Sequence, residues 1–317
     1  MDSLNLRLLF VFTDLVLPLI VGYTLHQRHL VNDKAITKLI KFNIVVISTV
    51  LSLLSFWVIP LSWDLLWVPA CGFLLVLVPG LIGTVLFARR FPDMLDRGAY
   101  IASSMLTNLG TLGGVCAFIL YNEVGFAYTQ LVGTCQNFLL CLIVFPMAQY
   151  CYMKATNQIR KTNRLHMLRE MFLSWNQLCV VGMFLGLLLN GFGVERPAVL
   201  GTAFQGLVHV GAWIAMLPVG FLIELQQVKK YARRVASLNI LRFVISPAFF
   251  WGIGHFFIAD PVFRNTLLIL SFCPTAVNAV LSSKLYHLNY NIATSSFFIT
   301  HAVFLFFIYP ILFFLLK

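Results

Sequence analysis

Ten apolar stretches, each about as long as a bilayer is thick and separated by short basic clusters, constrain this chain more than any other feature. A hydrocarbon core of about 30 Å takes roughly twenty apolar residues per helix. The stretches fall near 5–25, 36–59, 64–88, 99–120, 125–152, 173–192, 199–224, 237–258, 263–287 and 290–316. The pattern predicts an all-α polytopic membrane protein with ten transmembrane helices. Composition agrees: 60% of the 317 residues are hydrophobic and only 10% are charged. A soluble domain of this length has no core large enough to hide so much apolar surface.

The formal charge of +11 invites a nucleic-acid reading, but the Lys and Arg are not gathered on one soluble face. They alternate along the chain. Connections after odd-numbered helices hold Arg28, Lys34, Lys38 and Lys41, then Arg89, Arg90 and Arg97. The same side takes the cluster from Lys154 to Arg169, the group Lys229, Lys230, Arg233 and Arg234, and Lys284. The opposite side holds Arg7, Arg196, Arg264 and Lys317. The positive-inside rule turns this asymmetry into a topology in a plasma or bacterial inner membrane, with both termini outside the cytoplasm and no nucleic-acid partner. Residues 153–172 read as a cytoplasmic basic linker facing lipid headgroups. The first apolar run ends in His26-Gln27-Arg28-His29 with no small-residue cleavage site, so it reads as a retained helix.

Seven cysteines are scattered through apolar segments without a CxxC pair, which reads as packing rather than a disulfide or metal framework. His209, His255 and His301 each stand alone in an apolar helix, without a second ligand four residues on. No spacing offers an HExxH, paired carboxylates or a Ser/His/Asp set, so neither an enzyme, a metal nor a cofactor is expected.

The punctuation repeats. Pro79 recurs as Pro247, 168 residues on, and Pro146 recurs as Pro310 after 164. Residues 1–152 and 173–317 then form two five-helix repeats, inverted because five is odd. The same shift brings the polar centre of helix four, Thr107-Asn108-Leu109-Gly110-Thr111-Leu112-Gly113-Gly114, near that of helix nine, Cys273-Pro274-Thr275-Ala276-Val277-Asn278. Both helices are expected to break there. Pro274 cannot donate a backbone hydrogen bond, and the glycines weaken helix four while letting backbone approach a ligand. Helices broken at membrane depth line cavities, and half-helix N-termini there favour an anion.

Asn108 and Asn278 are the leading substrate candidates, because a neutral amide donates to a carboxylate without burying a fixed charge. The alternative is that each merely satisfies broken backbone. Gly110, Thr111, Pro274 and Thr275 share the same neighbourhood. Asp14, a carboxylate well inside a span, is a candidate proton or coupling site or else a structural partner. Glu224 and Arg242 sit near inner helix ends, where they pair or snorkel, and carry no substrate role.

Helices nine and ten, "CPTAVNAVLSSKLYHLNYNIATSSFFITHAVFLFFIYP", resemble the auxin efflux carrier family of bacterial and plant transporters. "SSMLTNLGTLGG", "VGYTLHQRHLV", "GMFLGLLLNGFGVERP" and "LRFVISP" extend the resemblance over nearly the whole chain. Val115 departs from it where the family commonly has Pro, as does "IKFNIVVISTVL", which lacks the proline usual in helix two. The resemblance implies the fold shared with bile-acid symporters. Scaffold helices 1, 2, 6 and 7 would support a mobile domain of helices 3–5 and 8–10, and two copies would pair through the scaffold. It implies elevator-type transport of a small organic anion, auxin-like or dicarboxylate, with Asn137 beside the substrate, although Gln136 and Asn137 read equally well as interhelical glue. A sodium-coupled bile-acid-type symporter and a non-transporting ligand-sensing receptor are the rival readings.

Overall fold

Long runs of Leu, Val, Ile and Phe leave a backbone surrounded by apolar groups one economical way to pair its own N–H and C=O groups, the helix. The computed structural model describes residues 9–61, 67–156, 178–221 and 225–316. Almost all of these are helical, and the one β feature among them is an isolated antiparallel bridge between Thr107 and Thr275. Residues 5–8 of the first expected span, most of the 153–172 linker and Glu224 lie outside the described residues.

In chain order the helices are α1 (11–27), α2 (Asp33–Phe56), α3 (Trp67–Arg90), α4 (Met94–Met105), α5 (109–120), α6 (123–156) and α7 (Leu178–Gly191). After them come α8 (Ala198–Phe221), α9 (Leu225–Val235), α10 (Ser237–Phe257), α11 (Pro261–Ser271), α12 (Val277–Leu285) and α13 (Tyr290–Leu315). Several starts are written in the sequence. The side chains of Asn32, Asp93, Asp260 and Asn289 each accept a hydrogen bond from a backbone N–H two or three residues on, as helix caps do. Between α5 and α6 the chain turns through Asn122, whose φ of 52° suits Asn better than most residues.

Among the described residues, six helical stretches are long and apolar enough to cross a membrane: α2, α3, the kinked stretch Gly114–Thr156, α8, α10 and α13. Their outward faces fit that setting. Leu81, Phe306 and Phe307 stand 64–67% exposed on such helices, a pattern that water would penalise and lipid does not. The fourth and ninth expected spans are each interrupted, and the first and sixth begin before the described residues.

By internal contacts the chain divides into two units. The first gathers the described residues of Met1–Ser62, Gly110–Gln130 and Phe172–Ile223; the second gathers those of Trp63–Leu109, Leu131–Met171 and Glu224–Lys317. Helix four is thus divided: α4 belongs to the second unit, whereas residues 110–130 group with the first.

In the first unit, glycines set the helix spacing. A Cβ at Gly22 of α1 would strike the backbone of Leu217 on α8, and one at Gly220 of α8 would strike that of Leu19 on α1. Gly182 and Gly186 of α7 lie in the same way against Thr49 and Leu53 of α2. Lipid tails compete with any apolar side chain, so membrane helices associate through such close backbone approach. Leu51, Phe118, Phe126, Phe204 and Val208 fill the core between them. In the second unit the core runs from Val76 and Tyr100 through Ala148 and Leu241 to Ile292.

Candidate functional site

The centre of the second unit is made by two interrupted helices. α4 ends at Met105, with Leu106 extended at φ −93° and ψ 122°. α11 ends at Ser271, and the chain re-enters a helix at Val277 after an extended Ala276. The two interruptions lie antiparallel against each other. The Asn108 N–H donates to the Pro274 carbonyl at 2.8 Å, and the Ala276 N–H donates to the Leu106 carbonyl at 2.9 Å, flanking the Thr107–Thr275 bridge. At this depth neither water nor a helix serves these groups, so each break supplies the partners that the other lacks.

Side chains complete the pairing. Gln136 of α6 accepts from both the N–H and the hydroxyl of Thr107 at 2.9 Å, and its amide N–H donates to the Thr107 carbonyl at 2.7 Å. The Thr275 N–H donates to the Thr300 hydroxyl at 3.1 Å, and the Thr275 hydroxyl donates to the Ser103 carbonyl at 3.1 Å. Asn108 is buried, with its Nδ2 2.9 Å from Nε2 of His301. His301 Nδ1 lies 2.7 Å from the Phe297 carbonyl, which only accepts. Nδ1 therefore carries a hydrogen, and Nε2 is free to receive the Asn108 amide hydrogen, a neutral imidazole acting as a relay.

Of the other sequence candidates, Pro274 and Thr275 are buried in this pairing. Asn278 is half-buried in the first turn of α12, its carbonyl accepting from Ser282 at 2.6 Å. Asn137 is half-buried beside Gln136 on α6, and it is Gln136 that reaches the break. Gly110, at the start of α5, belongs to the first unit and is exposed, and a Cβ there would meet nothing within 4 Å. With Asn43, Ser48 and Gln130 it lines a small cleft with room for about one water molecule. The side chain of Thr111 lies outside the described residues.

Arg242 of α10 is wholly buried in the second unit. Its Nη2 donates to the Ser103 carbonyl at 2.9 Å and the Leu106 carbonyl at 2.8 Å, the orphan acceptors at the end of α4. Nε and Nη1 have no hydrogen-bond partner among the described residues. The snorkelling expected of a helix-end arginine does not occur, because its side of α10 faces the break.

In the first unit Asp14 is buried, and its carboxylate meets Nδ1 of His209 on α8 at 2.5 Å. Phe10 and Phe118 pack their rings against the same imidazole. Such a carboxylate–imidazole pair can share a proton, and it can equally pin two helices together. Glu123 is held by Arg196, which also donates to the Leu54 carbonyl at 2.9 Å. The acid nearest the expected crossover in sequence is therefore already neutralised within the first unit.

Residues 13–189 match the family of unknown function DUF5690. The chain belongs to this family. No curated protein matches it. The DUF5690 match takes in Asp14, Asn108, Gly110, Thr111, Gln136 and Asn137, whereas His209, Arg242, Pro274, Thr275, Asn278 and His301 lie beyond it. In the sequence of this DUF5690 protein Arg242 reads as a helix-end residue without a substrate role, and His209 and His301 stand alone. His209 lies 195 residues from Asp14 and His301 lies 193 from Asn108, separations at which no spacing rule operates. Gln136 alone had a local signal, as an amide on an apolar helix beside the residue chosen instead.

Proposed function

We propose that this DUF5690 protein is a secondary transporter that moves a small organic anion across the membrane by elevator-type alternating access. The observation that carries the reading is the antiparallel meeting of two interrupted helices inside a helical, membrane-spanning architecture. A soluble enzyme has no need of that construction. In transporters it gathers half-helix ends and backbone donors at one buried place. The two interruptions also lie where the resemblance to auxin efflux carriers puts the substrate, and the reading extends that likeness to ten crossings in two inverted five-helix repeats. In this reading the scaffold is α1, α2, α7 and α8, which share the first unit with residues 110–130, and the mobile part lies in the second unit.

Asn108 presents an amide from the break, with His301 holding its orientation, and Asn278 presents a second from α12. Both donate to a carboxylate without adding charge. The test is charge movement in proteoliposomes on a solid-supported membrane. Mono- and dicarboxylates and indole acids are applied with and without sodium and a pH gradient. Radiolabel uptake on the same vesicles covers electroneutral exchange. A saturable signal that disappears in Asn108→Ala and Asn278→Ala is expected. No uptake of any acid, together with ligand-induced thermal stabilisation, would make the protein a sensor instead. Wild-type rates in both variants would move the site elsewhere.

A further inference from the structure

The amides at the break are neutral and do not by themselves prefer an anion. Resting on the transporter reading, we propose that Arg242 supplies the preference: it is the fixed positive charge that selects a carboxylate over a neutral molecule of the same shape.

Arg242 is fully buried, and its guanidinium is joined to the break through Ser103 and Leu106, the latter two residues before Asn108. No carboxylate among the described residues bonds to it. The three described acids of the second unit are engaged elsewhere. Asp93 caps α4, Asp260 caps α11, and Asp96 accepts from Arg234 at 3.0 Å and Asn289 at 2.6 Å. The carbonyls that Arg242 does bond already have other donors, Thr275 for Ser103 and Ala276 for Leu106, so capping alone does not require a cation. Two of its nitrogens remain without partners among the described residues.

A buried charge without a counter-charge is costly, and proteins keep one inside a membrane span where function uses it. An anion arriving at the break provides the missing counter-charge, so the cost falls only in the liganded state. Attraction between a buried guanidinium and a nearby carboxylate in a partly desolvated site is worth about tenfold or more in affinity. Arg242 acts through its field, and Asn108 and Asn278 make the contacts.

The experiment uses the full chain in lipid nanodiscs and pairs of ligands that differ in charge alone: benzoate with benzamide, and indole-3-acetate with indole-3-acetamide. Dissociation constants are measured by calorimetry and checked by thermal shift. Wild type is expected to favour the acid by about tenfold or more, Arg242→Lys to keep most of that ratio, and Arg242→Met to bring it near one with amide affinity unchanged. A ratio that survives in Arg242→Met overturns the assignment, as does an equal loss of acid and amide, the mark of a structural residue. If Arg242→Met does not fold, Arg242→Lys decides. Its ammonium keeps the charge on a shorter stem, so loss of the acid preference there overturns the proposal. If wild type binds no acid in the panel, the transporter reading fails and this inference with it. If wild type binds acids without preferring them to amides, the reading stands and Arg242 is not the selector.

Discussion

The two units spend their polar residues differently. In the first, helices meet through glycines and an aromatic core, and side-chain polar contacts act as pins: Arg196 to Glu123 and His209 to Asp14. In the second, buried polar side chains converge on one place, where Thr107, Asn108, Gln136, Arg242, Thr275, Thr300 and His301 surround two interrupted helices. A region built to hold its shape needs close packing and few buried polar groups. One built to receive a ligand must keep polar groups inside, and the break does so by pairing its backbones while two nitrogens of Arg242 stay without a partner among the described residues. The difference says where a substitution harms folding and where it harms function.

The sharpest way to break this comparison is to spoil the packing of the first unit. Gly22→Leu or Gly220→Leu forces α1 and α8 apart and is expected to cost about 3 kcal/mol or more, read as a large fall in melting temperature. Gly252→Ala, where a Cβ meets nothing within 4 Å, is expected to be neutral and serves as the control. Next comes Gln136→Leu in the second unit. It leaves the buried N–H and carbonyl of Thr107 without their side-chain partner, an expected loss of about 2 kcal/mol together with uptake. Asn137→Leu one residue on is expected to change stability by less than half as much, and equal effects of the two would remove Gln136 from the site.

Asn108→Ala sharpens the comparison from the functional side. It gives up the contact with His301, so a stability loss of about 1 kcal/mol is expected, whereas transport should fall to background. A variant that unfolds while retaining its specific activity would reverse the roles of the units. The smallest effect is expected from Asp14→Asn. As a pin of the first unit it should lower the melting temperature by a few degrees and leave the ratio of uptake at pH 6 and pH 8 unchanged. A ratio that collapses to one would instead give Asp14 the proton-coupling role.

Much of this organisation is legible in local chemistry. Apolar runs of bilayer length demand helices, whatever their neighbours. Asp93, Asp260 and Asn289 mark helix starts because a short polar side chain reaches its own backbone. Pro274 marks an interruption because it lacks a donor, and Gly110, Gly113 and Gly114 mark the other because they weaken the helix that follows. These signals act within a few residues, so a single sequence carries them intact.

What the sequence could not settle depends on rotation about a helix axis or on partners far away in the chain. Gln136 and Asn137 are chemically alike, but neighbours on a helix point about 100° apart, and only the packing of α6 decides that Gln136 faces Thr107. An arginine near a helix end normally reaches for water, and only the placement of α10 beside the end of α4 turns Arg242 inward. The Asp14–His209 and Asn108–His301 pairs join residues nearly 200 positions apart. The sequence by itself determined an all-helical chain for an apolar medium and two points of weakness in it. The tertiary structure alone decided that those two points meet, because hydrogen bonds orphaned at buried depth must be paired by whichever element folding brings within reach.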